Sequence, residues 1–257
     1  MHAQGPAIGT AAGTAVGEAA LLSGIVAFHV VDHRFVEERL HLFTHVAAGV
    51  VVTAVAHALG AERDELGLDP SRFVPGVKLG LVASALPVLG VAAATVIPAL
   101  EPVLADPRAD HDSRARLGYR LALDIPVGTA VYEELVFRSA LLGLARRRFS
   151  PPVAIAISSV LFGLWHVLPA LEDRNHNEVA QRYPLVATVA PTVLSTAAAG
   201  AWFSVLRLRS GHVVAPMIAH AAVNAAGLVA ATLVHRKLRR RGPDDRTDLA
   251  DVISAPS

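Results

Sequence analysis

The chain has no cysteine, which excludes disulfides and cysteine-bound metal centres. Aromatic residues make up only 5% of its 257 positions and charged residues 18%. A soluble domain carries about 25% charged residues and leans on aromatics for a large core. Here the apolar share is 53%, mostly Ala, Val and Leu, and the mean hydropathy is +0.46. Such a composition suits helices packed in lipid, where small side chains let backbones approach closely. Neither sign of charge dominates. The net charge is +1, so the basic stripe that attracts nucleic acid is missing. Met1 to Gly13 holds no Lys or Arg and therefore lacks the basic start of a secretory signal, so the first apolar run is expected to be retained. No internal repeat and no second domain is visible.

What the sequence does contain is a series of long apolar runs. A membrane helix needs about 20 largely apolar residues, and candidate spans are 15–31, 42–60, 77–100, 117–145, 153–171, 185–206 and 212–235. The predicted fold is an all-α polytopic transmembrane bundle of about seven to eight membrane helices. The fourth run carries Asp124, Pro126, Glu133, Glu134 and Arg138 and reads as two helices or as one helix broken near Pro126. Polar stretches such as Asp32–His41, Ala61–Arg72 and Glu172–Arg182 read as connections. Several of the twelve histidines lie there or beside charges and read as solvated. The cluster Asp106, Asp110, His111 and Asp112 reads as a solvated loop, and Glu18 as facing the bundle or the interface. Trp165 and Trp202 read as interfacial or packed in the bundle, and Arg146–Arg148 and Arg236–Arg241 as headgroup anchors. The organisation expected is a lead at 1–14, membrane helices of unassigned role at 15–116, a catalytic helix core at 117–235, and a basic, then disordered, tail at 236–257. The basic loops conflict over orientation, which suggests that 212–235 is re-entrant or broken.

Ionisable groups inside a span are costly and mark function by default. Within Tyr132-Glu133-Glu134-Leu135-Val136-Phe137-Arg138, Glu134 and Arg138 are four apart and share a helical face. Glu133 lies about 100° round the helix, without that local partner. A carboxylate in a dry site suits a general base near neutral pH, and an ion pair plus a spare carboxylate facing a polar cavity is the plainer alternative. The fifth run ends near His166, which alone reads more readily as a hydrogen-bonded core residue. The seventh places His220 and Asn224 on one face, suited to an oxyanion or to interhelical hydrogen bonds. Counted from the flanking polar residues at about 1.5 Å per residue, Glu133 lies roughly 20 Å deep, His166 is similar and His220 is about 13 Å deep. One layer of the bilayer can therefore hold all three.

Glu133-Glu134…Arg138, Phe162…His166 and His220…Asn224 together resemble the CAAX protease and bacteriocin-processing family of intramembrane endopeptidases. The stretch Gly200-Ala-Trp-Phe203 through Arg207, then Ser210-Gly211, resembles that family's lead into its last motif, and the likeness covers roughly residues 117–228. The resemblance implies that Glu133 activates water, that His166 holds the water or binds a metal, and that His220 and Asn224 stabilise the oxyanion. Glu134 and Arg138 are implied to orient the site. Glu133, His166 and His220 are candidate ligands for zinc with an open position, yet there is no His-Glu-x-x-His helix. A metal-free glutamate mechanism fits too, and no permanently bound metal is the favoured reading. The implied partners are membrane lipid and a membrane-anchored or lipid-modified peptide or protein. The Ala-, Arg- and Val-rich composition points to a bacterial plasma membrane, where peptide-precursor processing or bacteriocin immunity fits better than prenylated substrates. The reading from another class is a non-catalytic membrane adaptor or small transporter that keeps the polar cluster for structure.

Overall fold

A computed structural model describes residues 8–104, 113–175 and 178–240. The Asp106–Asp112 cluster, the start of the N-terminal lead and the tail beyond residue 240 lie outside the described residues. Helix α1 (Ile8–Phe35) and α2 (Glu38–Ala58) form a hairpin, followed by α3 (Phe73–Ala94) and the short α4 (Glu101–Leu104). One helical run, α5 (114–146), then passes through the middle of the bundle. After it come α6 (Pro151–Trp165), α7 (Val167–Asn175), the short α8 (Glu178–Gln181), α9 (Leu185–Ser210) and α10 (Val214–Arg240). Among the described residues there is no strand, and six helical runs are long and apolar enough to cross a membrane. Helix α5 has the length to be a seventh, despite its charges.

The bundle is turned outward in the way that lipid requires. Leu86 is 81% exposed, and many other Val and Leu side chains of the spans also face outward. A soluble protein would hide such a surface, whereas lipid is its natural solvent. The protein is therefore an integral membrane protein of the all-α bundle class. Part of the small aromatic complement builds the centre: Tyr132, Phe137, Phe162 and Phe203 belong to the central core, with Trp165 and Trp202 packed against it, while Phe35 and Phe43 face outward.

Helices α2, α6, α9 and α10 pack on α5. Helix α5 does not break at Pro126. Its backbone widens into π-type turns over Arg120–Val131 and again over Leu135–Leu141, with a short α-helical stretch at Tyr132–Glu134 between them. Wider turns accommodate a residue that has no N–H and crowds the preceding turn. Nor is the last span re-entrant: α10 is one helix of 27 residues, about 40 Å long at 1.5 Å per residue. Of the basic run that closes this helix, Lys237 pairs with the buried Glu101 of α4. Arg148 likewise binds Glu18 of α1 at 2.9 Å, so Glu18 faces the bundle.

Close packing rests on small residues. Gly76, Gly80 and Ser84, four apart, are the buried residues of α3. A Cβ on Gly80 would meet the Ala215 carbonyl oxygen of α10 at 2.8 Å. Gly80→Val should part the two helices and cost about 1–3 kcal/mol, read as a lower Tm in nanodiscs. Gly90→Val on the same helix, where an added Cβ meets nothing within 4 Å, should leave Tm nearly unchanged. At one end of the bundle the loop after α2 is strapped to the α9–α10 turn. Val213 N–H donates to the Gly67 carbonyl at 2.9 Å, and Arg207 Nη2 donates to the carbonyls of Asp64 and Glu65 at 2.9 and 2.8 Å. Burial, then the nearby Arg207, pushes His212 in that turn below the usual imidazole value. Its Nδ1 accepts Val214 N–H at 3.0 Å.

Candidate active site

Four ionisable side chains converge where α5 meets α10. Glu134 and Arg138 are both 0% exposed, Glu133 is 7% and His220 is 4% exposed. Arg138 Nη1 lies 3.2 Å from Glu134 Oε1, the pair expected from their spacing. The same carboxylate oxygen accepts the His220 Nδ1 hydrogen at 2.9 Å. That bond fixes the ring, and His220 Nε2 then faces Glu133 Oε2 at 3.7 Å. This separation exceeds hydrogen-bonding distance, and Glu133 Oε2 is buried without a hydrogen-bond partner. A buried carboxylate oxygen without a partner is expensive, and such costs are retained chiefly at functional sites.

The guanidinium is held by aromatic rings. Its carbon lies 4.0 Å from the Phe162 ring centre, 5.2 Å from that of Phe203 and 5.7 Å from that of Phe137. These contacts use the negative ring faces to offset part of the charge's desolvation. Phe203 also stacks on His220, with centroids 4.8 Å apart. The cage needs Gly200: a Cβ there would stand 3.0 Å from both Arg138 Nη2 and Phe162 Cδ1. Of this cage, sequence reasoning singled out Phe162, as the first residue of its motif, and included Gly200 and Phe203 in the lead to the last motif without giving them a role.

The remaining candidates stand at the rim. His166 ends α6 where the helical path breaks before α7, and its Nδ1 hydrogen goes to the Phe162 carbonyl at 2.8 Å. Its Nε2 is thereby left as an acceptor. The Phe162 ring lies between the two histidines, 4.7 Å from His166 and 5.9 Å from His220. Asn224 sits one turn beyond His220 on α10, half-buried. Neither His166 nor Asn224 hydrogen-bonds Glu133 in this arrangement. Among the described residues, no group of three or more His, Asp or Glu side chains is placed to hold a metal ion. Glu133, His166 and His220 therefore do not make a zinc ligand set as they stand.

A second buried polar group lies beside this one, in a stretch that the sequence presents as a connection. Only Val36 and Glu37 separate α1 from α2. Asp32 is 2% exposed and binds His45 Nε2 at 2.7 Å. The reading of Asp32 as part of a polar connection fails because the α1–α2 hairpin turns it to face His45, which lies inside the second apolar run. The pattern that could have shown it is a pair of His spacings of four, His29/His33 bracketing Asp32 and His41/His45 following it. His29 stacks on Trp165 with centroids 3.6 Å apart, which places that tryptophan inside the bundle.

Fold and site together define a polytopic membrane protein with a buried carboxylate–imidazole–guanidinium centre. Residues 119–226 match the family model of the Rce1-like type II CAAX prenyl endopeptidases. The matched segment holds Glu133, Glu134, Arg138, His166, His220 and Asn224, and the match supports CAAX-type intramembrane protease activity in general terms. No curated protein and no solved structure matches the chain.

Proposed function

We propose that the protein hydrolyses a peptide bond in a membrane-anchored or lipid-modified peptide, with water activated by Glu133. The observation that carries this reading is the buried, unpartnered Oε2 of Glu133, 3.7 Å from His220 Nε2. Glu133 takes a proton from water, and the resulting hydroxide adds to the scissile carbonyl. His220 Nε2–H and the Asn224 amide donate to the oxyanion. Glu134 balances the imidazolium through Nδ1, and Arg138 holds Glu134 in place. Glu133 then passes its proton to the leaving amine as the C–N bond breaks. His166, at the rim, orients the water through Nε2. No step of this mechanism requires a metal.

The substrate class follows from the surroundings. An apolar groove of about 730 Å³ between α1 and α2 is lined by Leu21, Ile25, Val52 and Leu59 and reaches Tyr132, next to Glu133. Its lining supports an alkyl or isoprenoid chain on the substrate. The bacterial plasma membrane is the proposed location, with peptide precursors as the proposed substrates.

The test is a panel of peptides, each offered free and lipid-tethered, incubated with the protein in liposomes with and without a chelator and read by mass spectrometry. Cleavage of tethered peptides, unchanged by chelator, is the expected result. Loss with chelator would overturn the metal-free mechanism, and no cleavage of any peptide would count against the protease reading.

A further inference from the structure

We propose that Asp32 and His45, outside the family-matched segment, form a positioning pair that sets the backbone turn carrying Glu133. The inference rests on the reading of Glu133 given above. His45 bridges two acceptors: its Nε2 lies 2.7 Å from Asp32 Oδ2 and its Nδ1 2.7 Å from the Gly128 carbonyl oxygen. A carbonyl only accepts, so Nδ1 carries a hydrogen. The pair then exists as imidazolium and carboxylate or as imidazole and carboxylic acid. Both forms hold one proton between the two groups, and both keep the two bonds.

The Gly128 carbonyl takes this bond where the α-helical pairing is locally broken. In a regular α-helix Tyr132 N–H would donate to it. Here Tyr132 N–H donates to the Thr129 carbonyl, and His45 binds the Gly128 oxygen from α2. The ring also stacks on Tyr132, with centroids 4.5 Å apart and planes at 22°. One side chain therefore fixes both the carbonyl five residues before Glu133 and the side chain immediately before it. Both neighbouring glycines are closely enclosed: an added Cβ would stand 3.1 Å from Leu135 Cδ1 at Gly49 and 3.2 Å from Asp124 Oδ1 at Gly128. The pair is itself held from other sides. Thr44 Oγ1 lies 3.2 Å from Asp32 Oδ1, and His41 stacks on His45 at 5.4 Å with its Nε2 3.8 Å from Asp32. The family match begins at residue 119, yet by this account α1 and α2 are part of the working site.

His45 touches no reacting atom, so its loss should act through geometry. Displacing a catalytic group by about 1 Å costs on the order of 100-fold, and loss of a supporting hydrogen bond typically costs about 10–100-fold. The experiment compares His45→Phe, Asp32→Leu and Asp32→Asn with wild type and Glu133→Gln in liposomes. It measures kcat and KM on a tethered peptide, together with hydrogen exchange of the segment spanning residues 126–137. His45→Phe keeps an aromatic ring against Tyr132 and loses both hydrogen bonds. It and Asp32→Leu should lower kcat about 10–100-fold with KM unchanged, and should speed exchange in the segment. Asp32→Asn should restore both readouts towards wild type, because its amide can donate to Nε2 while Nδ1–H stays on Gly128. Wild-type kcat or unchanged exchange in His45→Phe would overturn the inference, as would an Asp32→Asn as impaired as Asp32→Leu. Unchanged cleavage in Glu133→Gln would instead overturn the reading of Glu133, and the exchange data would still decide on the pair.

Discussion

Arg138→Met should unfold the protein more readily than almost any other single substitution, at a cost of about 3–5 kcal/mol. The guanidinium is 0% exposed and lies 3.2 Å from the fully buried Glu134 carboxylate. Methionine would fill much of the same volume between Phe137, Phe162 and Phe203 but would leave a carboxylate buried without its compensating charge. Against a typical total stability of about 5–15 kcal/mol, that loss is large. The account is specific enough to predict a rescue. Glu134→Gln combined with Arg138→Met removes both charges, and the glutamine oxygen can still accept the His220 Nδ1 hydrogen. Replacing a whole buried pair is often near neutral, so the double variant should recover most of the lost Tm in nanodiscs. Simple addition of two single losses would show that the pair is not coupled.

Glu133→Gln should leave the fold intact and lower cleavage of a tethered peptide by about 100- to 10,000-fold, the range for loss of a positioned general base. The substitution is nearly isosteric and removes a buried charge, so Tm should stay level or rise. The two readouts separate the roles of adjacent glutamates: Glu134 is tied through Oε1 to Arg138 and His220, while Glu133 approaches His220 Nε2 only to 3.7 Å. A parallel His220→Phe variant preserves the stacking on Phe203 and should lose activity through the missing Nε2 hydrogen. A Glu133→Gln protein that cleaves at the wild-type rate would end the proposed mechanism.

Much of this architecture could be read from the residues. Long runs without charge predict spans, and the helical spacing of Glu134 and Arg138 predicts a pair that the structure forms at 3.2 Å. What spacing could not give is the hydrogen bond from His220 to Glu134, because it joins helices separated by more than eighty residues. The continuity of α5 past Pro126 was also hidden, since a proline can break a helix or be absorbed by wider turns. The Asp32–His45 pair was masked for a different reason. A polar residue beside a turn reads as part of a connection until the hairpin turns it to face its partner. The spacing of Gly76, Gly80 and Ser84 was legible in principle, as a small-residue stripe marks a close helix crossing. The sequence does not say which helix it meets, and the structure supplies α10.

The central claim is hydrolysis by water activated at Glu133. It is tested most directly by a single turnover in ¹⁸O-labelled water, with the protein in excess over a lipid-tethered peptide in liposomes. Direct attack by water predicts one ¹⁸O in the new carboxyl group from the first turnover, and product formation about 100- to 10,000-fold slower with Glu133→Gln. An unlabelled new carboxyl group would mean that a protein oxygen attacks the peptide, and labelled product formed at the wild-type rate by Glu133→Gln would mean that another group activates the water; either result would contradict the account.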